Sequence, residues 1–192
     1  MADQIVNVEV SMIRRDLRRL PGFELPAGYS LRFFRPGDAQ TWTRIQLDAE
    51  KHLTIAPELF AKEFGEDPGP LGERQLFLCA ADGMEIGTAT AWFNDYNGLP
   101  YGRVHWLAIV PGYQGKGLAK PLLSGVLARM KELGHRRAYL VTSTARIPAL
   151  ALYLKFGFAP EVKSEEELAG WLAVRERIGH RALENLKIGK ER

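Results

Sequence analysis

The stretch from Val104 to Ala119, VHWLAIVPGYQGKGLA, decides the fold. Residues 104–110 are rich in β-branched and aromatic side chains and too few for a buried helix, so they predict a strand. A loop with Gly115 and Gly117 follows, and it leads into an apolar helix. Backbone N–H groups at a helix N-terminus bind phosphate groups, and glycines leave room for a ligand. The stretch therefore predicts a strand, an anion-binding loop and a helix start.

The composition is that of an ordinary globular protein, with 192 residues, 46% apolar and 26% charged. No apolar run approaches the roughly 20 residues that span a bilayer, and the N-terminus lacks the features of a secretory signal. The one cysteine, Cys79, excludes an internal disulfide and is expected to be a small buried apolar residue. We expect a cytoplasmic protein with no metal site and no membrane partner.

The charge pattern suits a small anionic ligand at least as well as nucleic acid, with a net charge of +3. Its densest basic cluster is Arg14, Arg15, Arg18 and Arg19. No motif that combines aromatic and basic residues accompanies this cluster, so we expect a solvated surface and no nucleic-acid partner.

Apolar periodicity and turn residues predict the order β, β, α, α, a β-hairpin that continues into a further strand, then α, β, α, β. The predicted strands cover residues 4–13, 30–34, 75–81, 84–93, 104–110, 137–142 and 158–162. The predicted helices cover about 38–50, 57–64, 118–133 and 147–156, with a last helix after a capping box at 164–167. Pro121 tolerates only a first helical turn, and Gly157 suits the end of a helix. This order predicts a mixed α/β domain, mostly antiparallel, with one strand–helix–strand crossover.

Two common glycine loops do not fit the anion-binding loop. A Walker A loop requires Ser or Thr two residues after its last glycine, with Lys between, whereas Gly117 is followed directly by Leu118. A dinucleotide-binding loop requires a third glycine where Lys120 stands. What remains is Gln114-x-x-Gly117-x-Ala119 after a strand ending in Val-Pro. This pattern resembles the pyrophosphate loop of the GNAT superfamily of N-acetyltransferases.

A second segment carries the same resemblance. Residues 149–158, ALALYLKFGF, are similar to a later helix of that family, Ala-x-x-Leu-Tyr-x-x-x-Gly-Phe. The resemblance covers about residues 30–162. It implies an α/β fold with a central mixed, mostly antiparallel twisted sheet of about six to seven strands flanked by helices, and a splayed strand at 104–110.

The resemblance also implies the activity. It indicates an acetyl-CoA-dependent N-acetyltransferase. The acceptor would be a primary amine, either on a small molecule or at the amino terminus of a peptide or protein. The amine would attack the thioester directly and form a tetrahedral intermediate. A non-catalytic sensor that binds acyl-CoA on the same fold stays open as the alternative. The segment 16–32 is similar to mycothiol-synthase-type members, which does not assign the acceptor.

The resemblance assigns the cosubstrate contacts residue by residue. The diphosphate bridge of acetyl-CoA is expected on the amides of Gln114, Gly115, Lys116, Gly117, Leu118 and Ala119, with added charge from Lys116. Ile109 is expected to hold the pantetheine arm, and the Leu107 N–H to face the thioester oxygen. Family members often have Asn where Arg146 stands, and a cation there could meet a phosphate of the cosubstrate.

Two side chains are candidates for proton transfer. Tyr153 is the candidate general acid, because a phenol can donate a proton to the departing thiolate. His105 is the candidate base, on a strand face that it is expected to share with Leu107 and Ile109. Its position matches one histidine of the arylalkylamine N-acetyltransferases, and the partner histidine would fall at Arg103. A buried core tyrosine and a satisfied core histidine stay open as alternatives.

The acceptor side has only general candidates. An aromatic wall could be formed by Trp42, Trp92, Tyr96, Tyr101 and Trp106, although such residues are also typical of a core. A cationic amine could be met by Asp48, Glu50, His52 or Glu58, each of which also suits a solvated surface.

The expected domain organisation has three parts: an N-terminal extension at 1–29, the acetyltransferase domain at 30–178 and a polar C-terminal tail at 179–192. Family members commonly end with a seventh strand, and no such strand is evident after Val162. Residues 4–13, with Val6 to Met12 alternating on one face, could fill that sheet edge in the same chain or in a second copy. A homodimer therefore stays open.

Overall fold

The computed structural model describes residues 6–189 of the chain. In that range the strands are β1 (Glu9–Arg14), β2 (Ser30–Phe33), β3 (Gln75–Cys79), β4 (Glu85–Tyr96), β5 (Leu99–Ile109), β6 (Ala138–Ser143) and β7 (Ala159–Glu161). The α-helices are α1 (Ala39–Ala49), α2 (Leu59–Phe64), α3 (Ala119–Glu132), α4 (Ile147–Lys155) and α5 (Glu165–Arg175). Among these described residues, no helix has both the length and the apolar character needed to cross a membrane.

The chain divides into two compact units, of which residues 20–135 form the larger. Its strands pair antiparallel in the order β2-β3-β4-β5. Helices α1 and α3 both pack against β4 and β5. Leu122, Val126 and Met130 of α3 are fully buried at helical spacing, as the sequence predicts. Cys79 is buried in β3, which confirms its expected role as a small apolar residue.

The hairpin between β4 and β5 is longer than the sequence pattern suggests. Its turn is Asn97–Gly98, and both residues have left-handed backbones, with φ of 52° and 71°. Two such residues match the twist of the flanking strands, so pairing continues up to Tyr96 and Leu99. The predicted strands at 84–93 and 104–110 therefore extend toward each other by several residues.

One extra residue interrupts the pairing of β4 with β5. Thr88 lies opposite Ala108 and Thr90 lies opposite His105, so a single residue of β4 spans two residues of β5. This is a β-bulge, and Trp106 within it has a left-handed φ of 51°. The bulge shifts the alternation of side chains, so His105 shares a face with Ala108. The prediction that His105 shares a face with Leu107 and Ile109 is therefore wrong.

The smaller unit consists of residues 1–19 and 136–192 and has the strand order β6-β1-β7. β1 is antiparallel to both neighbours, with Val10 opposite Thr142 and Met12 opposite Pro160. The strand predicted at 4–13 thus forms only in part, over Glu9–Arg14, and it is internal to this unit and does not lie at an edge. Pairing on both sides buries Val10 and Met12 almost completely. Residues 4 and 5 lie outside the described residues.

Backbone and side-chain hydrogen bonds attach the segment before β1 to the end of β6. The buried Thr144 hydroxyl accepts a 2.9 Å bond from the Val8 N–H and donates a 2.5 Å bond to the Val6 carbonyl oxygen. The Thr144 N–H in turn donates to the Val8 carbonyl oxygen at 2.9 Å. These bonds continue the contact between the two segments beyond the β1–β6 ladder.

Two arginines of the basic cluster at the end of β1 contact other groups of the smaller unit. The Arg14 guanidinium donates to the carbonyl oxygens of Phe156 and Arg19, and Arg18 forms a 2.8 Å ion pair with Asp16. Phe156 directly follows α4, so Arg14 satisfies a carbonyl at the C-terminal end of that helix. This contact gives Arg14 a structural role in the smaller unit.

Candidate active site

The glycine loop lies between the end of β5 and the start of α3. A single 3-10 turn, Pro111–Tyr113, follows the strand, and the helix begins at Ala119 as the sequence predicts. Gly115 and Gly117 have left-handed φ angles of 76° and 79°, which glycine adopts without strain. A Cβ atom built on either glycine would meet no atom within 4 Å. The loop backbone is therefore exposed and open above both glycines.

The N-terminus of α3 has no side-chain cap. Leu118 is the N-cap residue and its apolar side chain accepts no hydrogen bond, while Pro121 in the first turn has no N–H group. The first N–H groups of a helix and its positive dipole end stabilise an anion placed there. An uncapped helix start beside an open glycine loop fits a phosphate group. This part of the larger unit can therefore accommodate an anion such as a diphosphate group.

Both the side chain and the backbone N–H of Gln114 donate hydrogen bonds within the larger unit. Its side-chain Nε2 donates a 2.7 Å hydrogen bond to the Ile109 carbonyl oxygen, and its backbone N–H donates to the Pro111 carbonyl oxygen at 3.1 Å. Both donors tie the loop to the end of β5. Lys116 is exposed, with Nζ 4.5 Å from the centre of the Tyr113 ring. The backbone N–H of Gln114 is therefore already bonded, which leaves Gly115 and the residues after it as the candidates for an anion contact.

The β-bulge brings two consecutive side chains of β5 to one carboxylate. Nε2 of His105 lies 3.0 Å from Oε2 of Glu63, although the ring N–H is not aligned well enough for a hydrogen bond. The indole Nε1 of Trp106 donates a 3.1 Å hydrogen bond to the same oxygen. The side-chain amide of Gln46 donates to the Trp106 carbonyl oxygen at 3.2 Å. Helices α1 and α2 therefore both contact the bulge.

Burial and charge shift the pKa values of this pair in known directions. Burial lowers the pKa of His105, and the contact with Glu63 opposes that shift. The contact with His105 is the main cause that holds the pKa of Glu63 down at about 2, with help from the Trp106 indole. Arg103 lowers both pKa values through its charge. At neutral pH, Glu63 is thus an anion and His105 can accept a proton.

Aromatic rings surround the His105 side chain. Phe64 is central, because its ring centre lies 5.4 Å from that of His105, 5.5 Å from Trp92 and 5.6 Å from Trp42. Trp42 also contacts Trp106 at 5.4 Å. The three tryptophans that the sequence suggested for an acceptor wall thus lie in one cluster with His105. Tyr96 and Tyr101 form a pair of their own at 5.6 Å.

Two of the acidic residues that the sequence suggested for the acceptor, Glu50 and Asp48, have local partners. Oε1 of Glu50 accepts the backbone N–H groups of Lys51 and His52 at 2.8 and 2.7 Å. Asp48 lies 4.0 Å from Arg44 and lines an open groove of about 510 Å³ between α1 and α2.

Sequence reasoning missed Glu63, which lies in a predicted helix but has no local signal that relates it to His105.

The smaller unit holds the other two predicted site residues. Tyr153 of α4 is buried, and its ring centre lies 6.1 Å from that of Phe158. Burial raises the pKa of Tyr153 to about 12, and the charge of Arg146 partly opposes the shift. Arg146 is the N-cap residue of α4, and Gly157 follows the helix with a left-handed φ of 75°, as predicted. The phenol is therefore protonated at neutral pH.

Comparison with known proteins places these residues in a family. The model of the acetyltransferase (GNAT) family matches residues 39–158. A mycothiol acetyltransferase of Actinosynnema mirum is 30% identical over 158 residues, which are 79% of this chain and 52% of that protein. One of Pseudarthrobacter chlorophenolicus is 32% identical over 150 residues, covering 72% and 45%. The chain thus spans about half the length of the curated relatives it matches.

Solved structures share the fold. A GCN5-related N-acetyltransferase from Sphaerobacter thermophilus superposes with a TM-score of 0.67 at 22% identity, over 81% of this chain and 49% of that one. The ribosomal-protein-S18-alanine N-acetyltransferase from Escherichia coli gives 0.54 at 19% identity, over 67% and 76%. The expected fold class, a mixed and mostly antiparallel GNAT-like sheet flanked by helices, is confirmed. Because the family match extends over more than half of its residues, the chain belongs to the GNAT family of acetyltransferases.

Proposed function

We propose that the protein is an acetyl-CoA-dependent N-acetyltransferase whose acceptor is a primary amine on a small molecule. The observation that carries the proposal is the open glycine loop at an uncapped helix start, between Ile109 and Ala119. This loop lies within the region that matches the family, as do His105 and Tyr153. An acetyl donor with a diphosphate suits both features.

In this proposal the loop binds the diphosphate through backbone groups. The N–H groups of Gly115, Gly117, Leu118 and Ala119 act together with the helix dipole, and Lys116 adds a positive charge. Gln114 contributes by fixing the loop to β5. Arg146 supplies a further cation for a phosphate of the cosubstrate, in place of the Asn common in the family.

The bulged part of β5 is proposed to bind the acyl end. The β4–β5 register gives Trp106 and Leu107 no partner residues on β4, and the Leu107 N–H is proposed to donate to the thioester oxygen. An N–H group directed at a developing oxyanion contributes on the order of 3 kcal/mol. The backbone of Ile109 is proposed to hold the pantetheine arm.

Proton transfers are proposed to use two side chains. His105 removes a proton from the acceptor ammonium, so that a neutral amine attacks the thioester carbonyl carbon. A tetrahedral intermediate follows, and its carbon–sulfur bond breaks. Tyr153 gives its phenolic proton to the departing thiolate, for which its raised pKa keeps it protonated. The acetylated nitrogen then loses its excess proton, which restores the phenol, so the products are the neutral amide and the CoA thiol.

The acceptor class is proposed from the relatives. Several of the most similar curated proteins are named mycothiol acetyltransferases, which supports a small amine related to mycothiol. The sequence predicted either a small molecule or an amino-terminal group, and the relatives favour the first. Because the chain spans about half of those proteins, other small amines and peptides with a free amino terminus belong in the same test.

The proposal is tested by supplying purified protein with acetyl-CoA and a panel of such amines, and measuring release of the CoA thiol. For acceptors that carry a thiol themselves, mass spectrometry of the acetylated product replaces the thiol assay. We expect transfer to at least one small primary amine. Binding of acetyl-CoA by calorimetry without transfer to any amine would favour the non-catalytic sensor, and absence of both would overturn the proposal.

A further inference from the structure

The carboxylate of Glu63 connects α2 to the residue proposed as the base. Glu63 directly precedes Phe64, the last residue of α2, and its Oε2 contacts both Nε2 of His105 and Nε1 of Trp106. In a regular strand these two neighbours would point to opposite faces. The left-handed Trp106 backbone brings both to the same carboxylate. The bulge, α2 and His105 thus form one connected arrangement, which the sequence pattern did not suggest.

We propose that Glu63 is a positioning residue for the acetyl transfer: its carboxylate lies 3.0 Å from Nε2 of His105 and balances the positive charge that His105 gains on accepting a proton. This inference rests on the proposed function. In this step one proton moves from the acceptor to His105. An N–H bond of the acceptor ammonium breaks, an Nδ1–H bond of His105 forms, and the imidazolium lies beside a carboxylate that stays ionised.

The surroundings of His105 make such a carboxylate necessary. The side chain is 5% exposed, so an imidazolium there loses most of its hydration. The charged groups acting on it are Glu63 from α2 and Arg103 from its own strand, and Arg103 disfavours the imidazolium. Phe64 and Trp106 contribute aromatic rings at 5.4 and 6.0 Å. Of these contacts, the carboxylate is the one that offsets a positive charge by direct pairing.

Trp106 gives the carboxylate a fixed position. Its indole donates to the same Oε2 that faces His105, and its ring packs on Trp42 at 5.4 Å. A glutamate side chain alone would lose considerable rotamer freedom when it holds one geometry. The second contact reduces that freedom before any proton moves. Glu63 is therefore preorganised by a neighbour that does not titrate.

The substitution Glu63→Gln separates charge from shape. The amide oxygen of glutamine can still accept the Trp106 indole hydrogen bond, while the negative charge beside His105 is lost. Glu66→Gln is the matched control, because Glu66 is exposed three residues later. The first measurement is an NMR titration of the histidine ring signals. The chain has four histidines, and a His105→Gln spectrum assigns the signal of His105.

We expect the His105 titration midpoint in Glu63→Gln to fall by about one pH unit or more, and that in Glu66→Gln to stay where it is. The acidic limb of the kcat/KM profile should move by the same amount, with an unchanged KM for acetyl-CoA. An unshifted His105 midpoint in folded Glu63→Gln would overturn the pairing. A shifted midpoint with an unmoved pH profile would overturn the role in catalysis. Because the NMR titration needs no turnover, it distinguishes these failures from the absence of any acetyl transfer, which would contradict the proposed function.

Discussion

The side chain of Gln114 is bonded to the backbone of Ile109, with 2.7 Å between Nε2 and the carbonyl oxygen. This bond joins the first residue of the glycine loop to the last residue of β5. It gives a physical reason for glutamine at this position, because the amide reaches back five residues to a carbonyl that follows the bulge. The loop and the strand are thereby held in one fixed relationship.

Removing this bond should weaken binding of the cosubstrate. In Gln114→Ala the loop loses a neutral hydrogen bond worth about 1 kcal/mol, so we expect the KM for acetyl-CoA to rise roughly fivefold with little change in kcat. Steady-state kinetics with varied acetyl-CoA provides the measurement. Gln40→Ala, at an exposed position of α1, is the control. Equal KM values for both variants would contradict the positioning role of Gln114.

Replacing Gly117 with a residue that carries a side chain should be destabilising because of the backbone conformation alone. A Cβ at Gly117 has open space, yet φ of 79° lies in the left-handed region, where alanine costs roughly 1–2 kcal/mol. We expect Gly117→Ala to lower the free energy of unfolding by about that amount and to raise the KM for acetyl-CoA. Urea unfolding and kinetics measure the two effects.

Gly112 provides a matched control in the same loop region. A Cβ at Gly112 also meets nothing within 4 Å, and its φ is not in the left-handed region. Gly112→Ala should therefore leave both quantities nearly unchanged. If the two glycine variants behaved alike, backbone conformation would not be the reason for glycine at Gly117.

Substitution of Tyr153 should lower kcat much more than it changes the KM for acetyl-CoA. Tyr153→Phe removes the proposed acid while keeping the ring, so we expect kcat to fall by about 10²-fold with a KM for acetyl-CoA within about twofold of wild type. Tyr139→Phe, at another buried tyrosine of the same unit, controls for the loss of a phenol as such. Wild-type kcat in Tyr153→Phe would remove this residue from the mechanism.

The same tyrosine predicts how stability depends on alkaline pH. Its pKa is about 12 in the folded chain and about 10 when unfolded, so the unfolded state releases the proton first. The contribution of Tyr153 to the free energy of unfolding is fully present below pH 10. It is lost as the pH rises toward 12, at up to about 1.4 kcal/mol per pH unit. The free energy of urea unfolding should therefore fall more steeply above pH 10 in wild type than in Tyr153→Phe. Parallel pH dependences would contradict the shifted pKa.

Thr144 should matter for stability through its hydroxyl. Thr144→Val keeps the shape but leaves the Val8 N–H and the Val6 carbonyl oxygen without this partner, so we expect a loss of about 1–3 kcal/mol in the free energy of unfolding. Thr142→Val, a half-buried position on the neighbouring strand β6, should change it much less. Equal losses from both substitutions would show that the hydroxyl contacts are not responsible.

Sequence reasoning succeeded where local chemistry determines the structure. Pro121 excludes all but a first turn and thereby located the start of α3, and Gly157 marked the end of α4 by its left-handed preference. The Ser164 half of the predicted capping box also formed, since the Ser164 hydroxyl accepts the Glu167 N–H at 3.1 Å, while the Glu167 carboxylate accepts the N–H of Lys163 at 2.8 Å. Each of these signals acts within one turn of the chain.

The parts that sequence reasoning missed depend on pairing between distant residues. The bulge puts a tryptophan in a left-handed conformation, for which a tryptophan gives no local signal. The carboxylate beside His105 belongs to Glu63, which lies 43 positions before Trp106 in the sequence. Hydrophobic periodicity predicts helices and strands but does not indicate which of them come into contact. The position of β1 was missed for the same reason, because alternation predicts a strand but not its neighbours.

The position of β1 has a consequence for the order in which this protein can be completed during synthesis. Val8 and its partner Thr144 are 136 residues apart, and β7, the other neighbour of β1, comes later still. On a ribosome β1 is made before both of its partner strands, and it cannot pair with β6 or β7 until the larger unit has been synthesised. The larger unit, which is contiguous, can assemble first. The smaller unit can then form only when β6 and β7 pair with β1, whose backbone groups lack strand partners until that point and favour aggregation.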